Sequence, residues 1–194
     1  MQDFWFYLKL GFNHVLDPGA YDHVLFLVAL AAPFGFRSWK KAIILATIFT
    51  IAHCLSLALA AYELLEVSIT LVEFLIPVTI LITAVFSFLS TFGKSEYKGI
   101  GILMASTIFF GLIHGFGFSN YFRLLMAEET EKAVPLLGFA AGIEVAQVLI
   151  ILFVLCLAYI IQDILRVDKK HFVRVLSVLI FLITIPLAVK TAFW

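Results

Sequence analysis

Charge is what this chain has least of. Asp, Glu, Lys and Arg make up 13% of its 194 residues, against about 25% in ordinary soluble domains. The apolar share is 63%, more than a protein of this size can hide from water, so a soluble domain is excluded and the surrounding medium is a bilayer. Thirteen Lys+Arg balance thirteen Asp+Glu; with no basic surplus to neutralise phosphates, nucleic acid is excluded as a partner. Cysteine is nearly absent. Cys54 and Cys156 lie far apart in apolar runs, which predicts buried free thiols and no disulfide framework. The motifs of soluble enzymes are missing as well. There is no H-E-x-x-H, C-x-x-C, G-x-S-x-G or Walker sequence, and Gly115-Phe-Gly117 stands in an apolar run without a Rossmann setting, so an ATP-driven pump is not expected. The opening stretch, MQDFWFYLKLGFNH, lacks a basic n-region and an A-x-A-like cleavage site, and the first segment is expected to stay on the chain.

What is present is a series of long apolar runs, at 3–16, 20–36, 41–62, 67–91, 99–125, 134–161 and 171–192. They predict one all-α domain over 1–194, a polytopic transmembrane bundle of about seven helices, with six the alternative count. The first two runs are marginal, because crossing a core of about 30 Å takes about 20 helical residues. Asp17-Pro18-Gly19 between them predicts a turn, and the pair is expected to form a short hairpin. Basic residues fall in alternate connections: Arg37, Lys40 and Lys41; Lys94 and Lys98; Arg166, Lys169, Lys170 and Arg174. By the positive-inside rule these face the cytoplasm, which for seven spans puts the N-terminus inside. The opposite connections carry Asp17, Glu63, Glu66, Glu128, Glu129, Glu131 and Lys132, and Trp5, Trp39 and Trp194 sit near predicted ends. Ala46-Thr-Ile-Phe49 ahead of His53 resembles Ser106-Thr-Ile-Phe109 ahead of His114, a weak sign of a repeat between 41–91 and 99–161.

The informative residues are those a bilayer penalises. An acidic or basic side chain at mid-membrane costs roughly 2.5–3.5 kcal/mol, so Glu73 and Glu144 require partners. Four of the five histidines, His14, His23, His53 and His114, also fall in or beside apolar runs, with Asp22 adjoining His23. At 1.5 Å per residue, His53 lies about 18 Å and His114 about 22 Å from the inner side, while Glu73 and Glu144 lie about 10 and 15 Å from the outer one. All seven polar residues can therefore converge in the outer half of the membrane. Imidazole nitrogen and carboxylate oxygen form a ligand set for Zn²⁺, Ni²⁺, Co²⁺ or Fe²⁺. The plainer alternative is His–Glu pairing that holds helices together, and for Asp22-His23 an interfacial cap. Gln147, three residues after Glu144, and Thr50 and Ser56, on the face of His53, are candidates to orient the ligands or to bond between helices. Cys54, about 100° round the helix from His53, reads as a packed thiol, and His171, beside Lys169 and Lys170, as a solvent or headgroup residue. Gly111-Leu-Ile-His-Gly115 and Gly138-Phe-Ala-Ala-Gly142 allow backbones to approach closely, and Pro77 is placed to bend the fourth run.

At these residues the chain resembles the HupE/UreJ family of small polytopic membrane proteins. The resemblance rests on Gly11-Phe-Asn-His14 with Gly19-Ala-Tyr-Asp22-His23-Val-Leu-Phe-Leu, Phe49-Thr-Ile-Ala-His53-Cys-Leu-Ser-Leu, Val72-Glu73-Phe-Leu-Ile, Phe110-Gly-Leu-Ile-His114-Gly-Phe-Gly-Phe118 and Gly138-Phe-Ala-Ala-Gly142-Ile-Glu144-Val-Ala-Gln147, in that order. Cys54, where the family usually has Ser, and an altered stretch between His14 and Asp22 depart from it. The resemblance implies an integral protein of a bacterial inner membrane that acts as a nickel or cobalt permease, with metalloenzyme maturation or transport proteins as partners. It also implies that His14, Asp22, His23, His53, Glu73, His114, Glu144 and Gln147 are the polar positions of the site. The leading expectation is therefore binding or transport of a divalent transition metal, Ni, Co or Zn, at His14, Asp22, His23, His53, Glu73, His114 and Glu144. An intramembrane zinc-dependent hydrolase, with a carboxylate activating water, and a structural or accessory membrane protein are the two alternatives.

Overall fold

In the computed structural model, which describes residues 2–92, 100–127, 129 and 131–192, the described elements are all helices. They are α1 (Gln2–Val15), α2 (Asp22–Ala31), α3 (Trp39–Ala61), α4 (Ile69–Ser90), α5 (Ile100–Leu125), α6 (Ala133–Tyr159) and α7 (Lys169–Lys190). A 3₁₀ turn at Phe36–Ser38 leads into α3, and a π turn at Ile160–Ile164 closes α6. Four stretches, Phe36–Ala61, Ile69–Ser90, Ala133–Ile164 and Lys169–Lys190, are long and apolar enough to cross a membrane. α1 and α2 are not: their fourteen and ten residues reach about 21 and 15 Å. α4 continues unbroken through Pro77.

The turn between α1 and α2 has the chemistry its residues predict. Ala20 N–H donates to the Asp17 carbonyl at 3.1 Å, and Gly19 N–H to Asp17 Oδ1 at 2.8 Å. It does not fold the two helices into an up-and-down hairpin. α1 runs against α5, with Tyr7 beside Phe122 and His14 beside Phe118. α2 runs against both α5 and α3: His23 meets His114 and His53, and Phe26, one turn on, meets Phe110 and Phe49. The two consecutive helices thus point the same way. α1 also runs parallel to α6, with Phe4 on Gly138 and Leu8 on Gly142. Seven alternating crossings would instead set the first and sixth helices antiparallel.

Glycine explains this seat. A Cβ at Gly11, Gly138 or Gly142 would collide with the backbone of the opposite helix, and on the other side of the bundle one at Gly111 or Gly115 would collide with Phe49 or His53 of α3. Lipid tails are as apolar as the side chains, so close backbone approach of this kind does what hydrophobicity does in water. Short polar ties finish the frame. Ser87 Oγ donates to the Ala29 carbonyl at 2.6 Å, joining α4 to α2, and Lys132 Nζ donates to the Ala61 carbonyl at 2.6 Å. Arg174 Nε donates to Thr91 Oγ1 at 2.8 Å, which sets the start of α7 beside the end of α4.

Two faces result. One carries the start of α1, the 62–68 connection and the α5–α6 connection; the other carries Arg37, Lys40, Lys41, Arg166, Lys169 and Lys170. Lys94, Lys98, Glu128 and Trp194 lie outside the described residues. Both thiols are free, but the expectation that both are buried is corrected at Cys156. It is exposed on α6, where the bundle meets lipid, while Cys54 is half-buried against the core.

Because an added Cβ at Gly142 meets backbone rather than a yielding side chain, Gly142→Ala pries α1 from α6 and destabilises the protein by about 1–3 kcal/mol. The measurement is the thermal transition of the purified protein in detergent. Gly35→Ala, where nothing lies within 4 Å of the new methyl, is the control that leaves the transition in place.

Candidate metal centre

Four helices each deliver an imidazole to one place. The last turn of α1 brings His14, the first turn of α2 brings Asp22 and His23, and α3 and α5 bring His53 and His114 from the interior of long helices. Ring centroids lie 4.7 Å apart for His14 and His23, 5.7 Å for His14 and His53, 5.5 Å for His23 and His53, and 5.2 Å for His23 and His114. Two groups hold one ligand atom from each member within 4.8 Å of the others: His14, His23 and His53, and Asp22, His23 and His114. His23 belongs to both. The rings of Phe26, Phe49, Phe118 and Phe139 close around them, and His23, His53 and His114 are buried.

Hydrogen bonds orient two of the rings. Asp22 Oδ1 faces His23 Nδ1 at 3.0 Å and also accepts from the His23 backbone N–H at 2.8 Å. A carboxylate accepts only, so Nδ1 carries the proton and Nε2 keeps its lone pair. At His114, Thr79 Oγ1 lies 3.1 Å from Nε2 and donates its own proton to the Ile76 carbonyl at 2.7 Å. The hydroxyl lone pair is then what meets Nε2–H, which leaves Nδ1 of His114 unprotonated. These are the two atoms that find no partner on those rings.

Five ring nitrogens, His14 Nε2, His23 Nε2, both of His53 and His114 Nδ1, are buried without a hydrogen bond among the described residues. An unsatisfied buried polar atom costs about 1–3 kcal/mol. Neutral imidazole offers one lone pair per ring, so four of the five, one on each histidine, suit a ligand that accepts electron pairs, as a borderline divalent metal does, while the second nitrogen of His53 carries its proton. A carboxylate behind one histidine and a hydroxyl behind another is the arrangement that fixes tautomer and ring direction around such ions.

The remaining residues singled out from the sequence stand elsewhere. Glu144 accepts from Thr47 Oγ1 at 2.6 Å and from Thr50 Oγ1 at 2.7 Å, which spends both carboxylate oxygens on α3, and it belongs to neither ligand group. Glu73 is exposed on α4 and is likewise in neither. Ser56 donates to the carbonyl of His53 at 2.8 Å rather than to its ring. Gln147 is fully buried, with both amide atoms unpartnered among the described residues. His171 is exposed at the start of α7. Thr79 and Thr47, which set His114 and Glu144, escaped the sequence reading. Thr47 shares a helical face with Thr50, a signal that was there to use; Thr79 meets His114 across 35 residues of chain, and nothing local marks it.

The tautomers can be observed directly. With ¹⁵N-labelled histidine in the metal-free protein, His23 is expected as the Nδ1–H form and His114 as the Nε2–H form, and Thr79→Val removes the preference at His114 alone.

A family model described as HupE / UreJ protein matches residues 1–191. No curated protein and no solved structure matches the chain.

Proposed function

The chain belongs to the HupE/UreJ family, and on that premise we propose that it binds divalent transition-metal ions within the membrane and carries them across it. Nickel and cobalt are the favoured ions and zinc the next. His14, Asp22, His23, His53 and His114 hold the ion, and Glu144, kept by its two threonines, supplies negative potential rather than a ligand. The observation that carries this reading is the set of five unpartnered ring nitrogens on four helices. Release onward calls for binding weak enough to reverse, and a site divided into two overlapping groups that share His23 suits a transfer between them. Hydrolysis is the less favoured reading, because the carboxylate inside the ligand groups turns Oδ1 to His23, the place of a group that orients a ligand rather than of a base aimed at water.

Topology belongs to the same proposal. We take the basic face as cytoplasmic and α1–α2 as one interrupted crossing, so that the chain crosses six times, with the start of α1 and the end of α7 on the outer side of a bacterial inner membrane. Reporter fusions at Ser38 and Val167 should read cytoplasmic, and one at Leu64 should read external. A cytoplasmic result for a reporter ahead of Phe4 would restore seven crossings.

For the site, equilibrium binding of Ni²⁺, Co²⁺ and Zn²⁺ to protein in nanodiscs is the direct measurement. His23→Ala and His53→Ala are each expected to weaken binding about 10-fold or more, Thr79→Val about 10- to 100-fold, and His171→Ala not at all. Unchanged selective metal uptake by vesicles carrying the His53→Ala/His114→Ala protein would sink the site.

A further inference from the structure

α4 turns one stripe toward α2. Ser87, Ala84, Ile80 and Pro77, spaced three, four and three apart, are all buried, and Ser87 bonds the backbone of α2 directly. Four residues further up the same stripe comes Glu73, and it is exposed. The cover ends there because α2 ends there. Its first turn, at Asp22 and His23, lies level with His114 and Thr79, about 15 Å below the start of α4.

α1 carries a polar line of its own down to the level of Asp22 and His23. Lys9, Asn13 and Asp17, four residues apart, form one exposed polar line that descends from the face of the 62–68 connection to the break. At the break, Leu16, Asp17, Pro18, Gly19 and Tyr21 are exposed in non-helical backbone near the middle of the membrane. Two bonds to Asp17 close the turn, but the Asp17 side chain that accepts one of them is itself exposed, and hydrocarbon penalises a charge there. A dry contact with a second copy would strand Lys9 and Asp17 as unsolvated charges. Water satisfies both. At the bottom, the Asp22 side chain keeps 18% of its surface exposed while that of His23 keeps 4%.

We infer that a water-filled vestibule opens from the face opposite the basic one, walled by Lys9, Asn13, Asp17 and Glu73 and floored by Asp22 and His23, and that it admits hydrated divalent cations. Three carboxylates against one ammonium make it attractive to cations and repellent to anions. Which cation passes rests on the function proposed above; the presence of water does not, and can be tested without metal.

In a Cys54→Ser/Cys156→Ser background, single substitutions Asn13→Cys, Asp17→Cys and Glu73→Cys are reconstituted in vesicles. They are treated with a membrane-impermeant trimethylammonium methanethiosulfonate, from one side at a time. Each is expected to react from the face of the 62–68 connection about 10-fold or more faster than Ile51→Cys and Leu55→Cys, which are exposed on apolar α3. A second measurement starts with every wall residue in place: at Tyr21→Cys the cationic reagent should outpace an anionic one, and adding Asp17→Asn, which removes one wall charge, should cut that ratio about 3-fold or more. Reaction only with an uncharged, membrane-permeant maleimide would show lipid at these positions. Cross-linking between copies at Asp17→Cys without reaction to either reagent would show a second chain, and reaction from the basic face alone would reverse the opening. Each of these three results overturns the vestibule, whether or not the protein binds nickel.

Discussion

In hydrocarbon every backbone N–H and C=O must find its partner inside the protein. The chain leaves helical backbone between Val15 and Asp22, where Asp17 closes the turn, and the helices on either side are arranged around that interruption. α1 is held on α6 by three glycines whose missing side chains let backbones touch. α2 is held in the core by Phe26 stacked on Phe49 at 4.7 Å and by Ser87 on the Ala29 carbonyl. Only when both half-helices are fixed at their far ends can the near ends carry His14 and Asp22-His23 to the same depth as His53 and His114.

The cluster that results gathers four imidazoles and one carboxylate. Its rings are set by neighbours on one side and left bare on the other. Asp22 orders His23, Thr79 orders His114, and the lone pairs that remain point at no protein donor. Glu144 stands apart from this logic, because two threonines on α3 satisfy both of its oxygens and bind α6 to α3. Intramembrane acids therefore do at least two different things here: one orients an imidazole and another couples helices.

How legible this was depended on the kind of signal. Long apolar runs announced the helices, since composition and length alone decide whether a segment can live in lipid. Asp17-Pro18-Gly19 announced the turn through its own local chemistry. The shared depth of His53 and His114 was visible along their helices, because a rise of about 1.5 Å per residue converts position into height. His14, Asp22 and His23 were expected at the outer ends of a hairpin, and they reach that level because α1 and α2 run the same way. The direction of α1 was not visible. A fourteen-residue apolar helix has the same hydropathy in either sense, and the glycines that decide it act against residues more than a hundred positions away. Glu73 and Glu144 were expected level with the histidines, but Glu73 stands six residues from Thr79 and faces outward, and Glu144 meets two hydroxyls of α3 ahead of His53.

The sequence by itself determined that this is a membrane protein, where its helices run and which polar residues share a depth, because those properties follow from transfer of side chains to lipid and from the fixed rise of a helix. Tertiary structure alone decided that α1 and α2 point the same way, that His23 links two ligand groups, that Thr79 sets His114, and that Glu73 stands in the open. Each of these depends on rotation and direction. In lipid they are chosen by which small residues let two backbones meet, and no single helix contains that information.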